Sequence, residues 1–125
     1  MWATMGFVAL GGAIGAAARF GAGVAVARLI TPGFPVAVLG VNVLGSFLMG
    51  AFVVWSQLKG HTDWQPFVMT GVLGGFTTFS AFSLEAYTLF ERGQAGSAAL
   101  YVVLSVSLSI LGLVAGVALA RGLWA

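Results

Sequence analysis

Cysteine is absent from this chain, which excludes disulfides and thiolate metal sites together. Charge is scarce as well: 6% of the 125 residues are Asp, Glu, Lys or Arg, and there is one histidine. With so few titratable groups and no paired carboxylates, no acid–base or nucleophilic constellation exists, and an enzyme is not expected. The formal charge of +2 is a small excess among few groups, not a basic surface. Nucleic acid is therefore not expected as a partner. Long polar linkers are missing too, so residues 1–125 read as a single four-helix transmembrane domain. What fills the chain is apolar: 60% of it is hydrophobic and the mean hydropathy is +1.07. A soluble domain would lack the polar surface to cover such a core. The start, "MWATMGF", has no basic region of a cleaved signal peptide, so the first apolar segment is expected to be a true span.

A membrane helix needs roughly 20 mainly apolar residues. Four stretches meet that length, at about 4–27, 36–57, 67–91 and 95–120. "TPGFP" separates the first two, and its prolines break helix on both sides. "KGHTDWQP" separates the next pair; Pro66 suits the first position of a helix, with Asp63 or Thr62 as its cap. "ERGQAG" is the last, short turn. The expected class is an all-α membrane protein of four transmembrane helices.

The positive charges do not choose an orientation. Lys59 and Arg121 fall on the face of the termini, Arg28 and Arg92 on the other, and Arg19 lies inside the first span. Two against two leaves the positive-inside rule little to act on. Such a chain can insert both ways, which allows an antiparallel homodimer with its two-fold axis in the membrane plane. Trp2, Trp55, Trp64 and Trp124 all fall at span ends on the terminal face. An antiparallel pair would anchor both interfaces with them. Small residues four apart (Gly11 and Gly15, Gly12 and Ala16, Gly71 and Gly75, Gly112 and Gly116) supply close-packing faces for oligomerisation, or for packing within one subunit.

The third span carries "GGFTTFSAF" at 74–82, near its centre and hence near the bilayer midplane. Gly74 and Gly75 weaken helix there, and Thr77 and Thr78 add β-branched stiffness. A broken helix at that depth must be buried in protein or line a wet cavity. Its freed carbonyls can coordinate a cation, and two breaks meeting at a dimer axis would form an oxygen cage. Phe79 and Phe82 sit beside the break, three apart, and an aromatic edge is positive enough to hold a small hard anion. Lipid-facing or core packing is the ordinary use of either ring.

Polar groups on other spans point to the same depth. Asn42 lies mid-span in "VNVLGSFLMG", with Ser46 and Gly50 on its face, as a pore group or as interhelical glue. Tyr101, Ser105 and Ser109 are spaced i, i+4, i+8 on the fourth span and form a stripe of hydroxyls. Neutral donors suit a dehydrated anion better than fixed positive charge, which would trap it. Arg19 attracts anions into a vestibule, snorkels to the interface, or braces a helix end. Glu85, the only acid well inside a span, pairs with Arg19 or tunes the pore mouth.

Together "GGAIGAAARF", "VNVLGSFLMG" and "GGFTTFSAF" resemble the motifs of the Fluc (CrcB-type) fluoride channels, and the resemblance covers essentially the whole chain. It implies a passive, fluoride-selective channel in the cell (inner or plasma) membrane that lets fluoride leave the cell. It implies a dual-topology antiparallel homodimer with two pores and a central sodium ion. By that resemblance Phe79 and Phe82 are the pore phenylalanines and Asn42 the pore asparagine. Tyr101, Ser105 and Ser109 form the polar track, and the carbonyls of Gly74 and Thr77 hold sodium. Arg19 corresponds to the first-span arginine and Glu85 to the acid after the phenylalanines. "SAF" stands where the family often has "STF", and Ala37 and Val38 replace its Gly-Thr pair. The competing class is a proton-coupled exporter of the small multidrug-resistance kind. That mechanism wants a carboxylate in the membrane core, and Glu85 is the only candidate.

Overall fold

The computed structural model describes residues 1–30 and 33–125, and every regular element in them is helical. Helix α1 runs Trp2–Leu29 and α2 runs Val36–Lys59. A 3-10 turn at Thr62–Trp64 leads into Pro66–Leu73, which is wound with π spacing. Helix α3 (Gly74–Phe76), two extended residues and α4 (Phe79–Glu91) complete the third span, and α5 is Ala95–Trp124. Four helical stretches are long and apolar enough to cross a membrane. Helix is what lipid demands, because it satisfies backbone polar groups within the segment.

The punctuation follows local chemistry. Pro35 stands just before α2 and Pro66 opens the π segment, where a missing N–H costs nothing. Pro32, the other proline of "TPGFP", lies outside the described residues. Gly60 (φ 74°) ends α2 and Gly93 (φ 77°) turns the chain between α4 and α5, both in the left-handed region that a side chain disfavours. The expected cap before Pro66 is not formed. Thr62 and Asp63 belong to the 3-10 turn, and Gln65 precedes the proline without a side-chain cap. Gln65 instead donates from Nε2 to the buried Ser56 Oγ at 2.9 Å, which ties this loop to α2. The Trp55 and His61 rings stack beside it at 5.1 Å.

Lipid tails do not drive helices together, so close packing must. The small residues supply it, and three of the four pairs (Gly11 and Gly15, Gly71 and Gly75, Gly112 and Gly116) are used within the chain, whereas a Cβ on Gly12 would meet nothing within 4 Å and Ala16 is exposed. Helix α1 lies on the first half of the third span. A Cβ on Gly11 would meet the Phe67 carbonyl at 2.6 Å, one on Gly15 would overlap the Val72 carbonyl, and one on Gly75 would meet the Gly12 carbonyl at 2.5 Å. Helix α2 lies on α5, where a Cβ on Gly116 would overlap the Phe47 carbonyl and one on Gly112 would meet the Val43 carbonyl at 3.2 Å. Those three faces are therefore not the surface left for a second copy, whereas the Gly12 and Ala16 face stays open.

The third span changes partner at its break. Helix α3 packs on α1, whereas α4 packs on α5, where Phe82, Leu89, Ala98 and Tyr101 form a buried cluster. The sequence places the weakness at Gly74 and Gly75, but these two are helical, and the extended residues are Thr77 (ψ 160°) and Thr78 (φ −153°, ψ 124°). The glycines serve close approach: Gly75 meets Gly12 of α1. The threonines make the corner, and the Thr78 hydroxyl accepts the Ala81 N–H at 3.1 Å to cap α4.

Candidate functional site

A broken helix orphans the groups that the continuous ladder would have paired. Here two other spans replace the lost partners. Thr78 N–H, which would return to Gly74 in an unbroken helix, donates to Asn42 Oδ1 at 2.8 Å. Asn42 Nδ2 in turn donates to the Thr78 carbonyl at 3.0 Å. One carboxamide thus satisfies both sides of one residue's backbone, which only a side chain with donor and acceptor on one plane can do. The Gly75 carbonyl, which would receive Phe79 N–H in a continuous helix, accepts from Arg19 Nε at 3.2 Å. Thr77 N–H and its hydroxyl both return to the Leu73 carbonyl at 3.0 Å. The break is held from α1 and α2 at once.

Beside it lies a groove of about 340 Å³ between α2, the break and α5. Asn42, Thr77, Phe79, Phe82, Ser105 and Ser109 all line it, so six of the candidate site residues read from sequence come together. The Phe79 and Phe82 ring centroids are 5.5 Å apart. Phe82 is buried, while Phe79 is 78% exposed and stands at the groove's edge. Ser105 Oγ is buried and has no hydrogen-bond partner among the described residues. An orphan hydroxyl in an apolar setting costs about 1–3 kcal/mol, so a group kept there calls for a ligand.

Tyr101 lies behind the groove. It is fully buried, its ring is 5.2 Å from that of Phe82, and its hydroxyl donates to Glu85 Oε2 at 3.0 Å. Glu85 itself opens into a second cavity on the side of the α1–α2 loop. Arg19 and Glu85 therefore take separate partners, and Arg19 sits at the end of α3. Gly74 is exposed, and Thr77 lines the groove.

Among the described residues no lysine or arginine lines the groove. Its polar contribution is neutral: the hydroxyls of Ser46, Ser105 and Ser109, the second Nδ2 proton of Asn42, and the positive edges of two phenyl rings. A small anion finds donors there without a charge that would trap it.

Gly45 and the pairing of Thr78 with Asn42 were missed from sequence. A lone asparagine at membrane depth needs a donor and an acceptor together, and the exposed peptide of a nearby break is the group that offers both. Gly45 is bare because a Cβ there would overlap the Thr77 methyl.

Comparison with known proteins adds a family and its members. The family described as "CrcB-like protein, Camphor Resistance (CrcB)" matches residues 6–117. A protein of Ruegeria sp. (strain TM1040) named "Fluoride-specific ion channel FluC" is 68% identical over 116 residues, covering 92% of each chain. Proteins of the same name from Roseobacter denitrificans and Agrobacterium fabrum are 61% and 50% identical, each over 119 residues. They cover 94% of this chain and 94% and 95% of their own lengths.

Proposed function

The chain belongs to the CrcB-like family, and on that premise we propose that it is a passive, fluoride-selective channel. It is a multi-pass protein of the cell membrane and a transporter rather than an enzyme. Relatives at 50–68% identity carry the name of a fluoride-specific ion channel. The observation that carries the reading is the groove beside the break. Fluoride is small, hard and tightly hydrated, so a pathway must replace its water with donors. Phe79 and Phe82 offer ring edges, Asn42 its free amide proton, and Ser105 an unpaired hydroxyl, with Ser109 extending the track and Tyr101, its hydroxyl taken by Glu85, packed behind Phe82. Chloride, larger and softer, gains less from such contacts.

The working unit in this proposal is an antiparallel homodimer with two pores. Gly74, Phe79 and Ser80 are exposed at the depth of the break. Lipid cannot pair irregular backbone, so this surface needs protein over it. A second copy provides that cover, and the even charge and one-sided tryptophans permit it to insert inverted.

A structural sodium ion fits the break. The Thr78 N–H is drawn to Asn42, which leaves the Gly74 carbonyl without its ladder partner, and the Thr77 carbonyl belongs to an extended residue. These two oxygens would hold the ion, and the partner's equivalent pair would complete a set suited to a hard cation. When bound, the ion would supply fixed positive charge between the two copies.

Ion efflux from liposomes tests the function. Potassium fluoride or chloride is loaded inside, valinomycin is added, pH is equal on both sides, and each halide is followed by electrode. Fast fluoride efflux with little chloride is the expected result. Efflux that requires a proton gradient would replace the channel by a coupled exporter, with Glu85 as its carboxylate.

A further inference from the structure

A second cavity, of about 410 Å³, lies on the face away from the tryptophans. The ends of α1 and α2 supply apolar walls to it, including Val26, Phe34 and Val36. Helix α4 supplies a polar stripe: Glu85, Thr88 and Arg92, spaced i, i+3, i+7, all line it. Thr88 turns its hydroxyl onto the Leu84 carbonyl at 2.7 Å, so the stripe's free chemistry is one acid and one base. At a rise of 1.5 Å per residue, Arg92 stands about 10 Å outward from Glu85 along the helix. The cavity and the groove share no lining residue, but Tyr101 stands between them: its hydroxyl donates to Glu85 and its ring packs on Phe82 of the groove.

An anion inside this cavity faces the Glu85 carboxylate, which repels it. Arg19, the intramembrane cation, gives no help there, since its guanidinium is engaged with the Gly75 carbonyl on the α1 side. Arg92 is the cation that shares the cavity with Glu85. It caps the C-terminal end of α4, where the helix dipole favours a positive group. We propose that Arg92 is the anion-gathering residue of this mouth: it offsets Glu85 and raises the local concentration of fluoride at the outer end of the track. Its exposure is part of the device, because a solvated guanidinium attracts by long-range field and releases readily. The assignment rests on the channel reading, and it adds a residue that sets rate without touching the groove.

The test is unitary fluoride current in planar bilayers, which does not depend on how much protein folds. Wild type, Arg92→Gln and Arg92→Lys are compared in potassium fluoride at ionic strengths of about 0.01 M and about 1 M, adjusted with an impermeant anion. At low ionic strength the Debye length is roughly 30 Å, and Arg92→Gln is expected to conduct about threefold less than wild type. Near 1 M it shrinks to roughly 3 Å and the difference disappears. Arg92→Lys restores the low-salt current. Equal currents at low ionic strength, or a deficit that persists at high salt, would overturn the assignment while leaving the channel in place. A wild type that passes no fluoride would remove both readings.

Discussion

Asn42→Ala removes a carboxamide whose oxygen and one Nδ2 proton are both engaged with one residue. The wild-type amide bonds Thr78 N–H at 2.8 Å and the Thr78 carbonyl at 3.0 Å. At about 1 kcal/mol net per bond the pair contributes about 2 kcal/mol, and orphaning either group in a dry interior adds about 1–3 kcal/mol more. The break cannot simply heal into helix, because Arg19 still occupies the Gly75 carbonyl and the Thr78 hydroxyl still caps α4. The peptide at Thr78 is therefore left open. Two kcal/mol corresponds to about a 30-fold rise in the opening equilibrium. Hydrogen exchange of the Thr78 amide, read by mass spectrometry on detergent-solubilised protein, should accelerate by at least that factor. Amides in the middle of α5 should keep their protection. Fluoride flux should fall with it, since the groove wall is no longer fixed. Unchanged exchange at Thr78 together with unchanged flux would refute the idea that Asn42 holds the break.

Ser105→Ala separates a ligand-binding hydroxyl from a structural one. The hydroxyl has no partner to lose, so thermal stability should hold or rise by about 1 kcal/mol, while fluoride efflux drops; a destabilised variant would show that the serine is structural. Gly15→Val should cost about 1–3 kcal/mol or more in a thermal-unfolding assay, because its Cβ overlaps the Val72 carbonyl. Gly6→Val, where nothing lies within 4 Å, should be nearly silent in the same assay, and equal effects would contradict the packing of α1. A single cysteine placed in the 60–65 connection of this cysteine-free chain should be labelled from both sides of the membrane in intact cells and inverted vesicles. Labelling from one side only would defeat dual topology.

Much of the site was legible from sequence because each residue is out of place in lipid. Asn42, Ser105, Ser109 and the Thr-Thr pair are polar at depths where polarity is costly, and the structure gathers them into one groove with both phenylalanines. Positions whose meaning depends on a neighbour were less readable. The glycine pairs could serve contacts within or between subunits, and steric fit against Phe67, Val72 and Phe47 decides for the former. The π winding of Pro66–Leu73 leaves no signature in an apolar run. Arg19 had three open readings because hydropathy says that a buried cation needs a partner without saying which.

Composition and run length alone were enough to read a helical chain with four segments long and apolar enough to cross a membrane. Those properties follow from solvent: lipid admits closed backbone ladders and rejects charge, so composition and run length suffice. Where the third span breaks and what holds it open depend on contacts between helices. Asn42 reaches Thr78 across 36 residues of chain and Arg19 reaches Gly75 across 56. The partners that make an extended pair of threonines tolerable at the midplane come from other helices, and no local propensity of "GGFTTFSAF" could supply them.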